Sequence, residues 1–134
     1  MRKIALYIIL FISTLTFAQK NLGSKNSKAK VEKYTLYKTN AHASYYNDKF
    51  NGKRTASGRK LNNNKLTAAH KKFPFGTKLR ITNERNHKSV IVEVTDRGPF
   101  SKKREIDLTK RAFMKIALNK GSGSLNVTIE VLKN

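Results

Sequence analysis

The sequence predicts a mainly β domain, a small closed or nearly closed β-barrel carrying one helix. Three observations predict it. Two runs alternate apolar and polar residues with period two, a short polar turn joins two strand-like runs, and a single segment has helical spacing.

Taken in chain order, residues 35–46 form a first strand, interrupted near Asn40. KLRIT at 78–82 is a strand, and NERNHK at 83–88 is the polar turn of a hairpin. The return strand is SVIVEVTD at 89–96, with Val90, Val92 and Val94 on one face. Residues 110–119 form the helix. Thr109 is placed as its N-cap, Ala112, Phe113, Ile116 and Ala117 make its apolar stripe, and Gly121 ends it. The last strand is SLNVTIEVL at 124–132, with Leu125, Val127, Ile129 and Val131 on one face.

The N-terminus reads as a secretory leader over 1–18. Arg2 and Lys3 are its basic start, residues 4–12 its apolar stretch, and small residues lead to Ala18, so cleavage falls before Gln19. That apolar stretch is too short to be a stable membrane anchor. No cysteine follows it, so the expected product is not a lipoprotein. Residues 19–33 are polar, basic and free of aromatics, a flexible tether ahead of a domain at 34–134. The expectation is an exported protein, periplasmic or secreted.

The 134 residues carry 29 Lys and Arg against 8 Asp and Glu, a formal charge of +21. Such a chain fits a polyanion: nucleic acid, anionic lipid or an acidic wall polymer. Export argues against nucleic acid. The lysines are scattered rather than set along one amphipathic helix, which argues against a membrane-active peptide. The absence of cysteine excludes disulfides, a cysteine zinc site and a thiol nucleophile. Three histidines and few acids argue against a dedicated metal cage, and no cofactor motif is present.

With acids this scarce, each is informative. Glu84, Glu93 and Glu130 fall in a turn or on polar strand faces, and Asp48 and Glu105 in loops; all five read as solvated partners for cations. Asp96 ends an apolar strand before Arg97-Gly98-Pro99-Phe100, where a barrel displays functional groups, although an Asp there can also bond its own turn. Asp107 lies between Ile106 and Leu108, a partly desolvated setting that suits a general acid and equally a helix-start cap. His70 closes the run 66–70 and reads either as a packed core histidine or as a catalyst. Tyr45, Tyr46 and Phe50 can stack on sugar rings or pack into the core.

The segments Ala43-Ser44-Tyr45-Tyr46, FNGKRTASG at 50–58, LTAAH at 66–70, PFGT at 74–77, ITN at 81–83, VTDRGPF at 94–100 and IDLT at 106–109 occur in the order found in RlpA-like (rare lipoprotein A) proteins. The chain resembles that family over roughly residues 41–118. The resemblance implies a six-stranded double-psi β-barrel with one or two short helices, a fold shared with expansins. It implies peptidoglycan glycan strands as partner and, in active members, lytic transglycosylase chemistry without a cofactor or metal. One carboxyl protonates the glycosidic oxygen, and the sugar's own 6-hydroxyl closes an anhydro ring. Such proteins usually carry Glu directly after the Thr-Ala-Asn-Gly segment and Asp three residues later. This chain has Arg59 and Asn62 there, neither of which can deliver a proton at neutral pH. Asp107 is similar in placement to the Asp of the His-Phe-Asp segment of expansins. The expected site therefore has Asp107 as acid and base, with Asp96 and His70 completing a catalytic group. Tyr45, Tyr46, Phe50, Thr55, Arg59, Asn62 and Arg97 are expected to bind substrate. With Arg59 and Asn62 in place of acids, the alternative is a non-catalytic wall-binding or wall-loosening module.

Overall fold

The structure, a computed structural model, describes residues 33–133. The expected leader and the expected tether up to residue 32 lie outside them. Six strands, β1 (Lys33–Tyr45), β2 (Thr67–His70), β3 (Lys78–Asn83), β4 (Ser89–Asp96), β5 (Ile106–Leu108) and β6 (Leu125–Lys133), close into a barrel in the order β1-β5-β2-β4-β3-β6. One helix, α1 (Lys110–Ile116), and a single 3-10 turn at Asp48–Phe50 complete the described chain. The β1–β5 and β2–β4 pairings are parallel; the other four are antiparallel.

Alternation dictates the inside. Leu79 and Ile81 of β3, Val90, Val92 and Val94 of β4, and Val127 and Ile129 of β6 are all buried and fill one core with Ala41, Ala43, Ile106 and Leu108. Each fully buried Val, Leu or Ile contributes about 1.5–3 kcal/mol. The apolar face of α1 adds Ala112, Phe113 and Ile116, and Tyr45 packs on Phe113 with ring centroids 4.7 Å apart. At least one of the loop-edge aromatics is therefore partly a core residue.

Expectation and structure differ at identifiable places. β1 starts at Lys33, paired with Lys133, so that residue belongs to the barrel. The interruption at Asn40 is a register shift: Asn40 takes φ 50°, and its backbone N–H donates to Glu84 at 2.6 Å. The helix stops at Ile116, three residues short of the expected end, because the side-chain amides of Asn83 and Asn86 both donate to the Ile116 carbonyl, at 2.7 and 3.0 Å. Thr109 makes no side-chain cap; its hydroxyl is turned to the Lys65 carbonyl. The first turn is held from a distance, with Lys110 N–H donating to the Asn63 side chain at 3.1 Å and Arg111 N–H to the Asn63 carbonyl at 3.0 Å.

Candidate functional site

Three ladders place four side-chain positions in one row across the barrel wall. Ser44 of β1 registers with Asp107 of β5, Asp107 with Ala69 of β2, and Ala69 with Asp96 of β4. The two carboxylates are thus two strands apart, roughly 10 Å between their Cα atoms. Only the methyl group of Ala69 stands between them. A cavity of about 450 Å³ opens over this row, edged by Tyr45, Tyr46 and Phe50 on one side and by Gly98, Pro99 and Phe100 on the other. Gly98 holds φ +119°, a backbone conformation that disfavours a side chain.

The two acids do different things. Both oxygens of Asp96 are occupied: Oδ2 accepts from the Tyr46 hydroxyl at 2.7 Å, and Oδ1 accepts from the backbone N–H of Ala56 and of Arg97, each at 2.9 Å. It fixes the aromatic wall and the loop at 54–60. Burial, then the Asp96 hydrogen bond and the charges of Asp96 and Asp107, push the Tyr46 phenol well above its ordinary range, so it stays a donor. Asp107 is engaged on one oxygen. Its Oδ1 accepts from Ser44 Oγ at 2.8 Å, and Arg104 Nε lies 3.2 Å from the same atom, too poorly aligned for a hydrogen bond. All its described polar contacts fall on Oδ1; the side chain lines the cavity and is 17% exposed. Asp107 is not the helix cap.

His70 does not join the two acids. It alternates with Ala69 on β2, is 0% exposed and does not line their cavity. Its Nδ1 accepts the backbone N–H of Lys72 at 3.1 Å, so Nε2 carries the proton and donates to Glu105 at 2.9 Å. Burial draws His70 below its ordinary pKa, outweighing the opposite pull of Glu105. Burial raises Glu105, but its bonds to His70 and Lys38 outweigh that and hold it below the usual carboxyl range. Of the two readings open for His70, this geometry is that of the packed, hydrogen-bonded core histidine. Glu105 is corrected from a solvated residue to the partner of a buried histidine.

Of the expected binding residues, Tyr45, Tyr46, Phe50 and Arg97 line the cavity of the two acids. The Arg97 guanidinium is spent on the loop at 71–75: it bonds the Phe73 carbonyl at 2.8 Å and stacks 4.1 Å from the Phe75 ring centroid. Thr55 folds its own loop, its hydroxyl donating to the Arg59 carbonyl at 2.6 Å. Arg59 and Asn62 line a second cavity of about 460 Å³, where Arg59 pairs with Glu93.

Three residues of the site were not singled out from the sequence. Phe100, 95% exposed, was visible as an apolar side chain in a polar loop. Ser44 carried no such signal, because its role comes only from cross-strand register, and Arg104, three residues before Asp107, was one of many basic residues. Among the described residues, no three His, Asp or Glu converge as a metal-binding group.

The sequence model of the lytic transglycolase family matches residues 38–129. The chain belongs to the lytic transglycolase family. It is 41% identical over 128 residues to the endolytic peptidoglycan transglycosylase RlpA of Rickettsia felis, covering 90% of this chain and 56% of that protein. It is 46% identical over 91 residues to the probable endolytic peptidoglycan transglycosylase RlpA of Synechocystis sp., covering 68% of this chain and 28% of that one. The chain thus spans between about a quarter and just over half the length of these lytic transglycolase relatives. An expansin of Clavibacter michiganensis in complex with cellohexaose shares the fold, with a TM-score of 0.56 at 15% identity over 71% of this chain and 50% of that one. The Streptomyces papain inhibitor does so with a TM-score of 0.55 at 20% identity, over 76% and 96%. The barrel is the double-psi form expected of the family.

Proposed function

We propose that this domain binds peptidoglycan glycan strands across the Ser44–Asp107–Ala69–Asp96 row and cuts them as an endolytic transglycosylase, with Asp107 as acid and then base. The observation that carries the reading is Asp107, which lines an aromatic-edged cavity with its described contacts on Oδ1 alone, in a family whose relatives are named for that activity. Protonated Asp107 gives its proton to the glycosidic oxygen, and the bond from the anomeric carbon to that oxygen breaks with its electron pair on the leaving sugar. The 6-hydroxyl oxygen of the same sugar bonds to the anomeric carbon, and its proton passes to Asp107. No water is consumed, so a single carboxylate serves both halves. Arg104, 3.2 Å away, faces the negative charge that appears between the two transfers. Tyr45, Tyr46, Phe50 and Phe100 line that cavity with the aromatic surface on which sugars stack. Export to the wall is part of the same reading, supported by the leader-like residues 1–18.

Purified protein incubated with glycan strands should release anhydro-ended fragments detectable by mass spectrometry, and Asp107→Asn should abolish them. No product from the folded protein, or undiminished product from Asp107→Asn, overturns the reading.

One observation favours a second reading, wall binding without cleavage. Arg59 is tied up with Glu93, and neither it nor Asn62 can donate a proton. On that reading the protein co-sediments with insoluble peptidoglycan, releases nothing, and gains activity when Arg59→Glu and Asn62→Asp are combined.

A further inference from the structure

The row of side chains that holds the acids does not stop at Ser44. On the far edge of β1, β6 runs antiparallel, with Ala41 opposite Val127, His42 opposite Asn126 and Ala43 opposite Leu125. The next step sets Ser44 opposite Ser124, which is exposed just ahead of β6. The extended row is Asp96–Ala69–Asp107–Ser44–Ser124, roughly 19 Å across β4, β2, β5, β1 and the start of β6. Asp107 is its midpoint.

A third cavity, of about 440 Å³, covers the added end. It shares Ser44, Tyr45, Asn47 and Arg104 with the cavity of the two acids and adds His42, Gly123 and Ser124. The two cavities are thus arms of one groove that meet at Ser44 and Arg104. Their linings differ. The first arm has several aromatic edges, and in it Arg97 and Arg104 balance Asp96 and Asp107. The other has no carboxylate and one aromatic ring of a tyrosine, Tyr45; hydroxyl, amide, imidazole and guanidinium groups supply the rest of its side chains. Such groups bond the neutral hydroxyls and amides of a sugar chain. Among the described residues two buried side-chain nitrogens lack a hydrogen-bond partner, His42 Nδ1 and Arg104 Nε, and both belong to residues of this wall. An unpaired buried nitrogen costs stability, so the wall is not shaped by the fold's own pairing alone.

We infer that the His42–Arg104–Ser124 cavity is a sugar-binding arm, which holds the glycan strand on the side of Asp107 away from Asp96. This rests on the glycan reading above and deepens it. A strand lying along the row has sugars bound on both sides of the acid, so a bond in its interior reaches Asp107. One arm grips by stacking on rings, the other by hydrogen bonds.

Gly123 offers a way to block this arm alone. A Cβ at Gly123 would meet no atom within 4 Å, and its φ lies outside the left-handed region, so a side chain fits there without strain. Ser124 is exposed. Gly123→Leu combined with Ser124→Leu should therefore crowd the arm and leave the melting temperature close to that of the parent. The test measures binding of a disaccharide and an octasaccharide of the glycan strand, with Asp107→Asn present throughout so that neither is cut. The blocked protein should bind the octasaccharide about tenfold more weakly, the loss of one or two net hydrogen bonds. The disaccharide, seated in the aromatic arm, should bind as before. Unchanged octasaccharide affinity overturns the inference alone, as does an equal loss on both oligosaccharides. Binding of neither by the folded, unblocked protein overturns the glycan reading with it.

Discussion

Asp96 and Asp107 stand on either side of Ala69 in a single cross-strand row, one with both oxygens occupied and the other with its described contacts on one oxygen. Their substitution effects should therefore separate. Asp107→Asn should leave thermal stability and glycan binding close to those of the parent and remove turnover. Asp96→Asn orphans donors in the Tyr46 wall and the loop at 54–60, at a cost of about 1–3 kcal/mol. Thermal melts and binding isotherms on the two variants check this; equal destabilisation by both contradicts it.

Phe100 is almost wholly exposed at the rim of the cavity. Removing it should change stability by less than about 0.5 kcal/mol. If its ring stacks on a sugar, Phe100→Ala should weaken binding to glycan strands several-fold while the melting temperature stays put. Unaltered affinity removes Phe100 from the site.

The His70–Glu105 pair sets a pH dependence of stability. Burial holds folded His70 below its ordinary value of 6.5, so between its folded pKa and 6.5 the unfolded chain binds more protons. Stability rises with pH across that window, is fully present above 6.5, and is lost as pH falls through the folded value. Glu105, also lowered, adds a further loss below its ordinary 4.5. The melting temperature should fall as pH drops from 7 toward 5, and His70→Gln should flatten the upper part of that slope. An unchanged slope in His70→Gln assigns the effect elsewhere.

Phe113 joins the helix to the site through Tyr45. Phe113→Ala should cost about 3–5 kcal/mol, a large share of a small domain's stability. Phe113→Leu should cost less, and glycan affinity should follow how well the variant keeps Tyr45 in place. Chemical denaturation checks the first and a binding assay the second.

The sequence made long strands legible and short ones not. β3, β4 and β6 each repeat the apolar alternation two to four times, enough to stand out. β2 has four residues, the last three buried on both faces, and β5 has three, so neither completes a pattern. The site divided along the same line. Asp96 and Asp107 were readable because apolar neighbours on the chain marked them. The burial of His70 by Glu105 depends on pairing across 35 residues, and the separation of Arg59 from the acids depends on how the connection at 46–66 folds back. Neither carries a local signature. The helix end likewise was set by Asn83 and Asn86, some 30 residues upstream, and not by Gly121.

The row that holds the acids draws one position from each of four strands, and its two innermost strands, β2 and β5, are only four and three residues long. Neither can persist without neighbours on both edges. Ser44 reaches Asp107 across 63 residues of chain. No fragment or half-formed intermediate of this domain can therefore assemble the Ser44–Asp107–Ala69–Asp96 row. On the glycan-cutting reading proposed above, a newly made chain is inert until the barrel shuts, and turnover arrives in one step with that closure, a latency supplied by topology.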